Sequence, residues 1–138
     1  MTYLGSGDPA RRRTDYTPPW LADLADDVTM EGAVLNGIVR GADAVRTLLS
    51  YARTLYEYQD FVFVGEYGEN GYVEDYSSRI QGQPIGNIAV IYRNDNGKVQ
   101  HLVMNHRPLS AVLLFSRLMG EHFKETAYAD FFAAPTEI

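Results

Sequence analysis

At 138 residues and 15.5 kDa, 46% apolar and 22% charged, the chain has the size and composition of one globular domain. The absence of cysteine excludes disulfides, thiolate metal centres and thiol nucleophiles, and the longest unbroken aliphatic or aromatic run, Ala111–Phe115, falls far short of a membrane span. A net charge of −6 argues against a nucleic-acid partner, and no apolar core follows Arg11-Arg12-Arg13 to make a leader, so a cytoplasmic domain is expected.

Residues 1–19 read as a flexible arm. Gly5-Ser6-Gly7-Asp8-Pro9 and Thr17-Pro18-Pro19 are breakers without a period. The arginine triplet between them is read as a nucleic-acid or nuclear-localisation patch or as a solvated tail, the acidic remainder favouring the tail. Residues 20–138 form the single expected domain. Trp20–Asp27 suggests a short helix, with Trp20 or Leu21 beside Leu24 on one face. Val28–Leu35 is apolar and partly β-branched, and Asn36-Gly37 signals a hairpin returning through Ile38-Val39-Arg40.

Gly41–Tyr58 is the clearest helix. Val45, Leu48, Leu49, Ala52, Leu55 and Tyr56 make one continuous stripe, and Asp43 sits in the first turn, where the helix dipole favours a carboxylate. Four strand-like runs follow: Phe61–Val64, Tyr72–Ile80, Ile85–Arg93 and Val99–His106. Asn70-Gly71, Gly82-Gln83-Pro84 and Asp95-Asn96-Gly97 separate them, which predicts an antiparallel meander. Pro108 ends the last strand and starts a helix whose apolar residues, Leu109 to Phe123, go nearly all round it. Helix, sheet and helix make an α+β fold. Apolar residues on both parities of Ile88–Tyr92 require both sheet faces to be covered, one by helices and the other by a second copy of the chain.

The stretch Trp20–Glu31, then Val39-Arg40-Gly41-Ala42-Asp43-Ala44-Val45, resembles the start of NTF2-like (SnoaL-like, ketosteroid-isomerase-like) domains. Gly82-Gln83-Pro84-Ile85-Gly86-Asn87 and Asn94–Val99 are similar to the same family's strand–turn–strand pattern. The resemblance spans about residues 20–107. It implies a cone-shaped α+β barrel of curved antiparallel sheet around helices, with an internal pocket, commonly a homodimer through the sheet's outer face. The family's long first helix has no counterpart in residues 1–19. The C-terminal helix, extended through Glu121–Ala134, is expected to cover the pocket instead. In the family's isomerases the general-base aspartate falls on Gly32 and the oxyanion-holding acid near Ala89, while the tyrosine partner belongs to the missing helix. Steroid-type isomerisation by that arrangement is therefore not expected.

With that facing, Glu74, Tyr76, Ser78, Asn87, Ile91, Met104, His106 and Met30 point into the cone, and Tyr51 reaches it from the helix. His106 and Glu74 are the candidate acid and base. Tyr51, Tyr76, Ser78, Asn87, Ile91, Met104 and Met30 are the candidate ligand contacts. No cofactor is expected. Metal is left out, because His101 and His106 fall on opposite strand faces and His122 lacks a second ligand one turn away. Three functions are open: a pocket for a small, mostly apolar metabolite; a SnoaL-like polyketide cyclase or an isomerase or hydrolase working through His106 and Glu74; and a dimeric protein-interaction module.

Overall fold

A computed structural model describes residues 5–133, so the tips of the expected arm and of the C-terminal extension lie outside the described residues. The strands are β1 (Leu24–Gly32), β2 (Val39–Arg40), β3 (Asp60–Tyr67), β4 (Gly71–Ile80), β5 (Gln83–Arg93) and β6 (Val99–Arg107). The helices are α1 (Ala42–Leu55) and α2 (Leu109–His122). The six strands form one sheet in the order β2-β1-β6-β5-β4-β3. The expected meander is present as β3–β6, every neighbouring pair antiparallel. Two features correct the expectation: β1 runs parallel to β6, and the curved sheet does not close, leaving β2 and β3 as edges. Register shifts in β1, in β3 and at Tyr92/Arg93 accompany the curvature, as bulges bend the strand that carries them.

Trp20–Asp27 is not a helix. A 3-10 turn over Pro19–Asp23 gives way to β1 at Leu24, which pairs with Val99. So short a stretch gains little as an isolated helix, and the ladder to β6 satisfies its backbone better. Beyond the Asn36-Gly37 turn, β2 pairs back on β1 through Met30↔Val39. Gly41, at φ +97°, turns the chain from β2 into α1, a conformation a side chain would oppose. The α1 stripe buries Val45, Leu48 and Ala52 against the inner sheet face. At the β5–β6 turn, Asn94 Oδ1 accepts from the backbone N–H groups of Asn96 and Lys98. Among the described residues no helix is long and apolar enough to cross a membrane.

The parity expected of the sheet holds. Glu74, Tyr76, Ser78 and Ile80 are buried on β4, as are Asn87, Ala89 and Ile91 on β5 and Leu102 and Met104 on β6. The helix α2 starts after Pro108 as expected but stops at His122. The chain then turns back, so that Phe132 packs on Phe123 and Ser116 Oγ accepts from Ala133 N–H and donates to Val34 O. The described part of the arm docks at the start of β3. Arg13 and Gln59 exchange backbone hydrogen bonds of 2.9 and 2.7 Å, and Ser6 donates to Asp60. The triplet is thus neither a free tail nor an isolated patch: Arg12 stacks on Tyr58, Arg13 lies over Tyr16, and Arg11 donates to Phe61 O. These contacts satisfy backbone groups at Gln59 and Phe61, where the edge strand begins.

Candidate functional site

Inside the concave face lies a cavity of about 60 Å³, walled by α1, α2, the sheet and the Pro18–Leu21 turn. A second, of about 40 Å³, adjoins it and shares Leu49, Ala52, Met104, His106 and Phe115. The larger one holds roughly four or five waters or a small organic group, so a bulkier guest must displace side chains. Its apolar lining is Leu21, Leu49, Ala52, Ala89, Met104 and Phe115. Its polar lining includes Tyr56, Gln59, Glu74, Tyr76, Asn87 and His106.

The polar lining is a chain of hydrogen bonds set by register. Tyr76, Asn87 and His106 lie side by side across β4, β5 and β6. Asn87 Nδ2 donates to Tyr76 Oη (2.8 Å), and Tyr76 donates to Tyr56 Oη (3.1 Å). Tyr56 Oη is then 2.6 Å from His106 Nε2. Glu74, one inward position further along β4, accepts from the Tyr16 hydroxyl of the arm. Trp20 Nε1–H also stabilises its anion, although it does not reach a hydrogen bond of good geometry.

Burial sets the electrostatics. Desolvation raises the Glu74 carboxyl above its ordinary range, against the opposing influence of the Tyr16 hydroxyl bond and the nearby Trp20 N–H. Desolvation, reinforced by Arg107, pushes His106 down to about 3, so its imidazole is neutral at physiological pH. Burial also raises Tyr56, with Tyr76 adding to the effect, and raises Tyr76 itself. For Tyr16, burial and then the Glu74 hydrogen bond push the hydroxyl up. Four buried atoms on residues of the cavity wall have no hydrogen-bond partner: Trp20 Nε1, Arg53 Nε, Asn87 Oδ1 and His106 Nδ1. Two donors, an acceptor and an imidazole nitrogen are thus left without a protein partner.

The Glu74 result makes a testable statement about stability. A carboxyl whose folded value is raised favours folding while protonated, below about pH 4.3, and that advantage is lost as pH rises through the folded value. Glu74→Gln mimics the protonated group and still accepts from Tyr16. It is expected to gain more than ~0.5 kcal/mol at neutral pH and nothing near pH 4, by urea unfolding. A gain at both pH values contradicts the assignment.

Of the expected site residues, Glu74, Tyr76, Asn87, Met104 and His106 line the main cavity, with Ala89 between them. Met30 and Gly32 line the smaller one. Three do not reach the site. Tyr51 stacks on His122 with ring centres 3.6 Å apart, Ser78 donates to Tyr58 O, and Ile91 is packed in the core between Tyr72 and Leu102. Nor are His106 and Glu74 a direct pair. They stand two strands and one register step apart, roughly 12 Å between Cα atoms on a flat sheet, and each bonds a different tyrosine. Tyr16, Trp20, Tyr56, Gln59 and Phe115 are site residues that the sequence reading missed. At Gly32 a Cβ would stand 2.3 Å from Met104 O, so β1 is too close to β6 there for any side chain. Among the described residues no cluster of three or more His, Asp or Glu could hold a metal.

No family model matches the chain, and no curated protein matches it. Solved structures do. A steroid delta-isomerase from Pseudomonas aeruginosa aligns at TM-score 0.70 and 19% identity, over 75% of this chain and 77% of that one. An uncharacterised bacterial protein with a cystatin-like fold, from Silicibacter pomeroyi DSS-3, aligns at 0.71 and 18%, over 78% and 76%. An NTF-2 like protein of unknown function from Burkholderia xenovorans LB400 aligns at 0.52 and 17%, over 61% and 64%. At such identities the likeness establishes the fold: this chain has the α+β cystatin-like, NTF2-like architecture.

Proposed function

We propose that the protein binds a small, mostly apolar molecule in the hollow of its curved sheet, holding a carbonyl or hydroxyl group against Trp20, Asn87 and His106. The observation that supports this reading is that four residues lining one largely apolar cavity, Trp20, Arg53, Asn87 and His106, each carry a buried polar atom without a partner. Native mass spectrometry of the purified protein tests it. Wild type is expected to carry a small-molecule mass that Ala89→Leu, which fills the cavity, lacks. Bare protein in both cases speaks against the reading.

A second reading, general-base catalysis by Glu74 in an isomerase, cyclase or hydrolase, is favoured by the raised carboxyl in the same cavity. His106 serves that reading as a neutral hydrogen-bonding group rather than as an imidazolium acid.

The assembly we propose is a homodimer through the outer sheet face. Phe63, Ile88 and Tyr92 are exposed there, beside the half-buried Val73, Val90 and Val103 on the same side of the register. Light scattering is expected to give twice the monomer mass, reduced to one by Ile88→Lys. A monomeric wild type rules the dimer out.

A further inference from the structure

Outside the cavity, beside the docked arm, lies a space of about 190 Å³ whose lining includes Arg13, Thr14, Arg53, Thr54 and Tyr58. Arg53, Tyr56 and Gln59 line both this space and the cavity. The space is polar, whereas the adjoining cavity is largely apolar. We propose that it binds the carboxylate of a small aryl or short-chain acid, Arg13 and Arg53 holding the anion while the apolar tail lies in the inner cavity. This rests on the pocket reading above and specifies its ligand class.

Charge is the first support. The chain carries −6 overall, yet this mouth gathers two guanidinium groups. Among the described residues the ion pairs involve Arg46, Arg93, His101, Arg107 and Lys124, and neither Arg13 nor Arg53 has a carboxylate partner. Satisfaction is the second. Arg53 Nε is buried without an acceptor, a donor that a bound anion would satisfy. Of the nearby acids, Glu74 takes the Tyr16 hydroxyl, Asp60 takes Ser6 through one of its two carboxylate oxygens, and Glu57 takes the backbone N–H of Gly82. Burial also favours the uncharged form of Glu74, which limits its repulsion of an incoming anion. The third is geometry. A planar guanidinium fork matches a carboxylate, and Arg53 lines both spaces, so a head group held by it lies next to the inner cavity.

Calorimetry on the full chain tests this with matched pairs: phenylacetate against phenylacetamide, and hexanoate against hexanamide. Each acid is expected to bind about tenfold or more tighter than its amide, the gap closing in Arg13→Gln/Arg53→Gln. If the double variant does not fold, Arg13→Gln, altered only at an exposed side chain, is expected to lose part of the gap. Acid and amide binding equally to wild type, or a gap that survives these substitutions, overturns the anion site and leaves the cavity reading standing. No binding by any member at about 10 mM overturns both.

Discussion

Phe115→Ala is expected to cost about 3–5 kcal/mol of stability, because it removes a buried aromatic ring that forms part of the wall of both cavities. The ring makes edge contacts with Tyr56 and His106, at 5.6 and 5.0 Å between centres, so its loss also loosens the hydrogen-bonded polar lining. Its removal merges the two hollows into one enlarged space. A small aromatic such as phenol should then bind that space and raise the melting temperature of the variant far more than that of wild type. Thermal unfolding with and without phenol measures both effects. A loss below about 1 kcal/mol, or no selective rescue, would mean that Phe115 does not separate two hollows.

Acidification should weaken the wild type relative to His106→Gln. Burial, and then Arg107, hold His106 down to about 3 in the fold, whereas an unfolded chain releases that proton near pH 6.5. Between those values the unfolded state takes up a proton that the native state refuses. The contribution is therefore intact above about pH 6.5 and is lost as pH falls. At about 1.4 kcal/mol per unit, the gap between wild type and variant should shift by ~2–3 kcal/mol from pH 6.5 to 4, a range set below the full value because the ring retains some exposure. Urea unfolding across that range checks it. Parallel stability curves for the two proteins would mean that the imidazole titrates freely in the fold.

The sheet was legible because its cues are local. Alternation placed Glu74, Tyr76 and Ser78 on the inner face, and the Asn70-Gly71 and Asn96-Gly97 turns set the order of the meander. What joins the sheet to its surroundings was not local. Tyr16 meets Glu74 across 58 residues, and Arg13 pairs with Gln59 at the start of β3, contacts that no periodicity in residues 1–19 announces. The choice of Tyr51 over Tyr56 has a definite cause. A helix drawn through Tyr58 makes Tyr56 one more member of the core stripe, but α1 ends at Leu55 and Tyr56 is extended, at φ −73° and ψ 129°. That change of backbone brings its hydroxyl to His106, while Tyr51, still helical, stacks on His122. Ser78 and Ile91 have the expected inward parity, yet they lie off the ends of the hollow, and parity alone does not fix position along a strand.

Trp20 is the chain's single tryptophan, and its indole N–H stands unpartnered in the cavity wall. Its one indole cross-peak in a ¹H–¹⁵N spectrum is therefore a direct reporter of occupancy. On titration with a panel of small aryl and alkyl alcohols, amides and acids, the peak should move saturably for some members in wild type and for none in Ala89→Leu. A peak that no compound moves, or that moves equally in the filled variant, would contradict a guest held inside the sheet.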